Sequence, residues 1–210
     1  GSSVSMSGGT LDADESLTIS GALTQSGAIT IDVAEDKTLT YSGAAVSLGA
    51  YTLTMSGEGT FSNSNDLVLN NASSKLLLSS SVTVGSVSTS LASLGLDVND
   101  DSTVSSLTVG HITPVSIASG KTLSGAITLT AGSIKLGEAG TLGSTVSMSG
   151  GTLDVDETLT LSGALSQSGA ITIDVASGKT LTYSGAALSL GAYTLTMSGE
   201  GTFSNINDLV

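Results

Sequence analysis

The chain has no cysteine and no tryptophan, one proline and one histidine, and all five of its basic residues are lysines. Each absence removes a class of function. Without cysteine there is no disulfide framework, thiol nucleophile or thiolate zinc site. A single histidine, His111, cannot build a histidine dyad or a multi-histidine metal centre. Aromatic residues are 3% of the chain, charged residues 11%, and the formal charge is −13. An acidic chain without arginine is a poor nucleic-acid partner, because that role needs phosphate neutralisation and stacking aromatics. No apolar run approaches the roughly 18 residues of a membrane helix. The start, Gly1-Ser2-Ser3-Val4-Ser5-Met6, has neither a basic region nor an apolar stretch of signal-peptide type.

What is present is small, hydroxylated and apolar. Serine and threonine supply 67 of the 210 residues, glycine 27, and hydrophobic residues 39%. A disordered tract with this charge would be poorer in β-branched apolar residues. The composition therefore predicts a folded all-β chain whose surface is made of hydroxyls.

Residues 1–68 align without gaps to residues 143–210, at an offset of 142, with 59 identities in 68. The nine differences are Ser3/Thr145, Ala13/Val155, Ser16/Thr158, Ile19/Leu161, Thr24/Ser166, Glu35/Ser177, Asp36/Gly178, Val46/Leu188 and Ser64/Ile206. Eight keep the character of the site; Ser64/Ile206 is expected at an exposed or end position. The chain reads as a full unit, 1–142, and a partial second copy, 143–210, of one continuous solenoid. Its second copy stops in mid-pattern, as expected of a piece of a longer tandem array.

A shorter period runs inside the unit. A turn, a hydroxyl residue and a large apolar residue recur at Leu17, Leu39, Phe61, Leu77, Val104, Leu123, Leu142, Leu159, Leu181 and Phe203. The first seven intervals total 142, so a unit holds about seven rungs of roughly 20 residues. Within rungs, segments such as Ala28-Ile29-Thr30-Ile31-Asp32-Val33 and Thr38-Leu39-Thr40-Tyr41 alternate strictly, which places apolar side chains on one face and hydroxyls on the other. Strands of three to six residues are separated by Ser-Gly-Ala or Gly-Glu-Gly corners. This pattern predicts a right-handed parallel β-helix, or β-solenoid, of about ten rungs. An antiparallel sandwich would explain the long repeat but not the likeness of rungs within it.

Three groups of residues invite a functional reading. Asp12 and Asp14, their copies Asp154 and Asp156, and the run Asp97, Asn99, Asp100, Asp101 carry oxygen ligands at spacings that can hold calcium. They lack the calcium-binding nonapeptide and EF-hand forms, and the alternative is solvated corners that keep a rod soluble. The triplets Thr38-Leu39-Thr40, Thr52-Leu53-Thr54, Thr128-Leu129-Thr130, Thr158-Leu159-Thr160, Thr180-Leu181-Thr182 and Thr194-Leu195-Thr196 resemble the outward threonine arrays of ice-binding β-solenoids. The marker column is expected to break that ladder at Thr60-Phe61-Ser62, Leu76-Leu77-Leu78 and Thr141-Leu142-Gly143. His111, close to Pro114, marks the one irregular corner. No serine has a base in a recognisable motif, and five scattered lysines form no catalytic cluster, so the sequence reads as non-enzymatic.

Phrases such as Thr38-Leu39-Thr40-Tyr41-Ser42-Gly43-Ala44 and Gly27-Ala28-Ile29-Thr30-Ile31-Asp32-Val33, with the composition, resemble the β-strand-repeat regions of large bacterial surface proteins. Filamentous-haemagglutinin-type and autotransporter-type adhesins are the relatives in question. The resemblance covers the whole chain and implies a secreted or surface-displayed stalk, fibre or sheath segment. The expected partners are further copies of the chain, joined end to end through unpaired strand edges. The alternative is a repeated face that binds ice or surface glycans. No binding residue carries over from the resemblance.

Overall fold

A computed structural model describes residues 3–137, 140–207 and 209–210. The described chain is a parallel β-solenoid of ten rungs with three sides. It contains no helix among the described residues.

Side one is a ten-stranded sheet that runs in chain order. Its strands are Thr10–Ala13, Ile29–Val33, Thr52–Ser56, Lys75–Leu78, Gly95–Val98, Thr113–Ile117, Ser133–Gly137, Thr152–Val155, Ile171–Val175 and Leu195–Ser198. Side two begins at Leu17–Ile19 and ends at Thr202–Asn205. Side three begins at Val4–Met6 and passes through Leu67–Leu69 to Thr145–Met148 and Leu165–Gln167. In rungs four to six, sides two and three fuse into single strands, Thr83–Thr89, Ser102–Val109 and Thr122–Leu129. These are longer than the three to six residues expected, and each replaces the corner with a break in the alternation, successive outward residues at Gly85-Ser86, Ser105-Ser106 and Gly125-Ala126.

Each rung pairs in parallel with the next, partners lying from 19 residues apart (Leu96 and Val115) to 24 (Ile29 and Leu53). The 142-residue offset spans seven rungs, from Thr10–Ala13 to Thr152–Val155. Pairing runs unbroken across residue 142, since Ser133–Gly137 joins Thr152–Val155 and Thr145–Met148 joins Leu165–Gln167.

Alternation fills the core. Ile31, Met55 and Leu78 stack through successive rungs of side one, and Leu39 and Phe61 do so on side two, each with no exposed surface. Tyr41 lies over Phe61 with ring centroids 6.3 Å apart, and Tyr183 over Phe203 at 6.4 Å. Both tyrosine hydroxyls clamp a corner. Tyr41 Oη donates to the Ala44 carbonyl at 2.7 Å and accepts the Leu23 N–H at 3.1 Å. Tyr183 makes the same pair of bonds to Ala186 and Leu165.

The marker column needs two corrections. Leu77 is not in it: Leu77 points outward on side one between Thr54 and Asp97, and Val84 stands over Phe61. The run Lys75-Leu76-Leu77-Leu78 is apolar in both phases, so alternation alone cannot tell which leucines face inward. Next, Leu123 lies over Ser102 and Leu142 over Leu161 instead of Val104 and Leu159. Both slips are of two residues, and a period-two pattern keeps every inward position inward through such a slip.

The differences between copies follow local geometry. Asp36 has φ 59° and its counterpart Gly178 φ 73°, so the turn demands a left-handed residue and accepts either. Ser64 and Ile206 are both exposed, as expected.

Candidate functional site

Charge is segregated around the rod. Of the described charged residues, Asp12, Asp32, Lys75, Asp97, Lys135, Asp154 and Asp174 lie on side one. All the rest except Asp66 lie on the corner between sides one and two, from Asp14 and Glu15 to Lys179 and Glu200. The strands of sides two and three carry no charged residue.

The lysines order this ridge. Every one reaches a carboxylate one rung away: Lys37 to Glu15 (3.0 Å), Lys75 to Asp97, Lys121 to Asp100 (2.5 Å), Lys135 to Asp156 (3.1 Å) and Asp154 (3.5 Å), and Lys179 to Glu157. The Lys121 ammonium, then the Asp101 N–H, hold the Asp100 carboxyl below the usual range, and Asp100 in turn raises Lys121. Asp154 moves the other way: burial, then the neighbouring Asp156, outweigh Lys135 and push it up. Asp156 and Asp154 together raise Lys135.

These pairs account for most of the calcium candidates. Asp97, Asp100, Asp154 and Asp156 face lysines, and Asp101 accepts the Thr122 N–H at 2.7 Å. Asp12 lies in register with Asp32 on the next rung, Asp14 is exposed, and the Asn99 N–H bonds the Leu78 carbonyl. Among the described residues, no three metal-ligating side chains are gathered around one point. What the arrangement does chemically is neutralise a column of like charges from one rung to the next.

The threonine triplets fall on all three sides, and side two carries two partial ladders. Thr38, Thr60, Thr83, Thr103 and Ser124 stack through rungs two to six. Thr122, Thr141, Thr160, Thr182 and Ser204 continue through rungs six to ten, two residues to the side. The expected break at Leu76-Leu77-Leu78 is absent from this face, because those residues belong to side one. Thr60 and Thr141 are ladder members, while Gly143, opposite Ser124, ends the first column as expected of Thr141-Leu142-Gly143. His111 is an exposed corner residue whose carbonyl accepts the Thr113 hydroxyl at 3.2 Å.

The sequence held a signal for the ion pairs that composition concealed. Each lysine has its carboxylate 21 or 22 residues away, as in Glu15/Lys37, Asp97/Lys75, Asp100/Lys121, Asp156/Lys135 and Glu157/Lys179. The spacing becomes legible once the rung length is known.

Fold and surface together define a class: a three-sided parallel β-solenoid with an ion-paired acidic ridge, uncharged hydroxyl sides and no pocket among the described residues. No family model, curated protein or solved structure matches the chain.

Proposed function

We propose that the chain is a structural rod, a stalk, fibre or sheath segment of a large repetitive bacterial surface protein, displayed outside the cell and without catalytic activity. The observation that carries this reading is continuity. The pairing across residue 142 is parallel and unbroken, like the pairing within the unit, so copying the unit extends a shape and adds no site. A spacer needs length, stiffness and solubility. Backbone bonds between rungs supply the stiffness, and the acidic ridge and hydroxyl sides supply the solubility. The adhesin-like composition and phrases support the bacterial surface setting.

Copies join end to end in this reading. Met55 is fully buried beneath the fourth rung, whereas its counterpart Met197 is 44% exposed on the tenth. A further rung offered by another copy would cover Met197 as the fourth rung covers Met55. Electron micrographs of proteins with two, four and six units test the rod. Length should grow by about 34 Å per unit, seven rungs at about 4.8 Å each. Beads on a string, or a clearly different increment, would reject it.

The two hydroxyl ladders of side two, offset by two residues at rung six, favour one second reading, a repeated face that binds ice or carbohydrate. Its hydroxyls recur at about the 4.8 Å rung spacing, which suits a ligand with its own regular hydroxyl lattice. Thermal hysteresis at micromolar protein, or retention on an insoluble polysaccharide, would replace the pure-spacer reading. Neither effect, with intact rods, leaves the spacer.

A further inference from the structure

The charge map has a geometric consequence for how this acidic chain can approach its own kind. In a three-sided rod, the corner between sides one and two lies opposite side three. That corner and side one hold every described charge but Asp66, so side three faces directly away from the acidic ridge. Its outward column, Ser47, Val68, Ser88, Thr108, Thr128, Ser147 and Ser166, is uncharged throughout.

The edge of side three also carries apolar surface that the rod itself does not use. Its corners with side one are mostly glycine, serine and alanine, as at Ser7-Gly8-Gly9, Ser26-Gly27-Ala28 and Ser149-Gly150-Gly151. The corners leading into rungs five and six instead carry Leu91, Leu94 and Ile112, exposed by 52%, 54% and 53%. They sit on adjacent rungs, one rung spacing apart. His111, the irregular spot in the sequence, belongs to the same patch. Large apolar side chains on successive corners mark an interaction surface when they are contiguous.

We propose that two copies of this chain pack side by side through side three, anchored by Leu91, Leu94 and Ile112, with their acidic ridges turned outward. Three arguments choose a second copy over another partner. The ridges of two rods joined this way are separated by roughly two rod widths, several Debye lengths of about 8 Å, while any other contact between copies brings a ridge nearer. A hydroxyl both donates and accepts, and two copies share one rung spacing, so the hydroxyls of one column can meet those of the other at every rung but that of Val68. Side three is about 10 Å wide and about 43 Å long at three residues per strand and nine rungs. Contact over it removes roughly 900 Å² from the two copies together, the size of a weak, reversible self-association.

The test is sedimentation and small-angle scattering of the full chain over a concentration series. The expected result is a doubled cross-section, at twice 20.5 kDa for one pair and at higher mass and greater length where pairs also join end to end. Leu91→Glu with Ile112→Glu should weaken the dimer at least tenfold and leave circular dichroism and melting unchanged, since both side chains are exposed. With no native cysteine, Thr108→Cys on side three gives a unique thiol that a short bifunctional reagent should join between copies, while Thr30→Cys on side one should not. Persistence of the 20.5 kDa species at millimolar protein overturns the proposal. So does a dimer of doubled length with an unchanged cross-section, a dimer indifferent to the glutamates, or cross-linking at Thr30→Cys in place of Thr108→Cys.

Discussion

The duplicated sequence contains its own control for what one rung contributes to the next. Met55 and Met197 sit in the same nonapeptide, Tyr-Thr-Leu-Thr-Met-Ser-Gly-Glu-Gly, and both stand on an isoleucine of the rung below, Ile31 and Ile173. They differ in what lies above. Leu78 covers Met55, which has no exposed surface, while Met197 is 44% exposed. Met55→Ala removes the transfer energy of a buried side chain and leaves a cavity closed on every side, a loss of about 3 kcal/mol in the usual range of 2–5. At Met197 roughly half of the transfer term is absent to begin with and no enclosed cavity forms, so the same change costs about 1 kcal/mol. Local propensity is identical at the two sites, so the difference of about 2 kcal/mol reports coverage by one rung. Because a solenoid need not unfold in one step, the assay is hydrogen exchange resolved by peptide, alongside urea unfolding. Met55→Ala should raise exchange in rungs two to four and leave rungs seven to nine unchanged. Equal costs at the two methionines, or loss of protection along the whole rod, would refute nearest-neighbour stabilisation.

Three further outcomes follow from single positions. Gly125 has φ 123°, and a Cβ there would lie 1.7 Å from the Val104 carbonyl oxygen. Gly125→Ala should therefore cost at least about 2 kcal/mol in urea unfolding, against about 1 kcal/mol for Gly178→Ala, which has open space and only its backbone conformation to strain. Tyr41→Phe removes the partner of the buried Leu23 N–H and should cost about 1–3 kcal/mol, with hydrogen exchange rising at Leu23 and in the corner that follows Tyr41. Melting temperature should decline at both pH extremes. The lowered Asp100 and raised Lys121 contribute stability that is lost as pH falls below 3.8 through the folded carboxyl value, and again as it rises above 10.5 through the folded ammonium value. Asp154 acts with the opposite sign, since its raised carboxyl costs stability as pH climbs from 3.8 through its folded value. Lys121→Met should flatten part of the alkaline limb in a pH series of thermal melts, and an unchanged limb would remove the pair from this account.

Much of the fold is legible in the sequence because a solenoid writes its geometry locally. Alternation in Ile29–Val33 or Thr38–Tyr41 places each side chain inward or outward with no knowledge of neighbouring rungs. The rung length follows from repeated corners. What alternation cannot supply is phase where both neighbours are apolar, as at Leu76-Leu77-Leu78, or the identity of a side once corners vanish, as in Thr83–Thr89. The number of sides lies outside any period of the sequence. Without it the hydroxyl columns cannot be traced from rung to rung, and the charges show no pattern, although all those described except Asp66 lie on side one and its corner with side two. The acidic residues considered for calcium were visible at once, but their lysines were not, because each partner is a whole rung away.

Register raises the last question, since the marker column slips by two residues twice and leaves the core intact. Inward and outward positions therefore do not by themselves fix how one rung sits on the next. The corners must do it. Tyr41 crosses from its own strand to the Leu23 N–H of the rung below, and Tyr183 crosses to Leu165 in the same way. Gln25 and Gln167 reach the Leu48 and Leu190 carbonyls of the rung above. Asn63 spans from Asn65 of its own corner to Ser86 of the next rung. A two-residue slip would keep the apolar side chains inward while breaking each of these bonds and leaving buried polar groups unpaired, at about 1–3 kcal/mol apiece. The lysine pairs add the same discrimination on the ridge. Polar clamps of this kind explain how a chain built from so few residue types can hold a single register, and why the unit that repeats is seven unlike rungs instead of one.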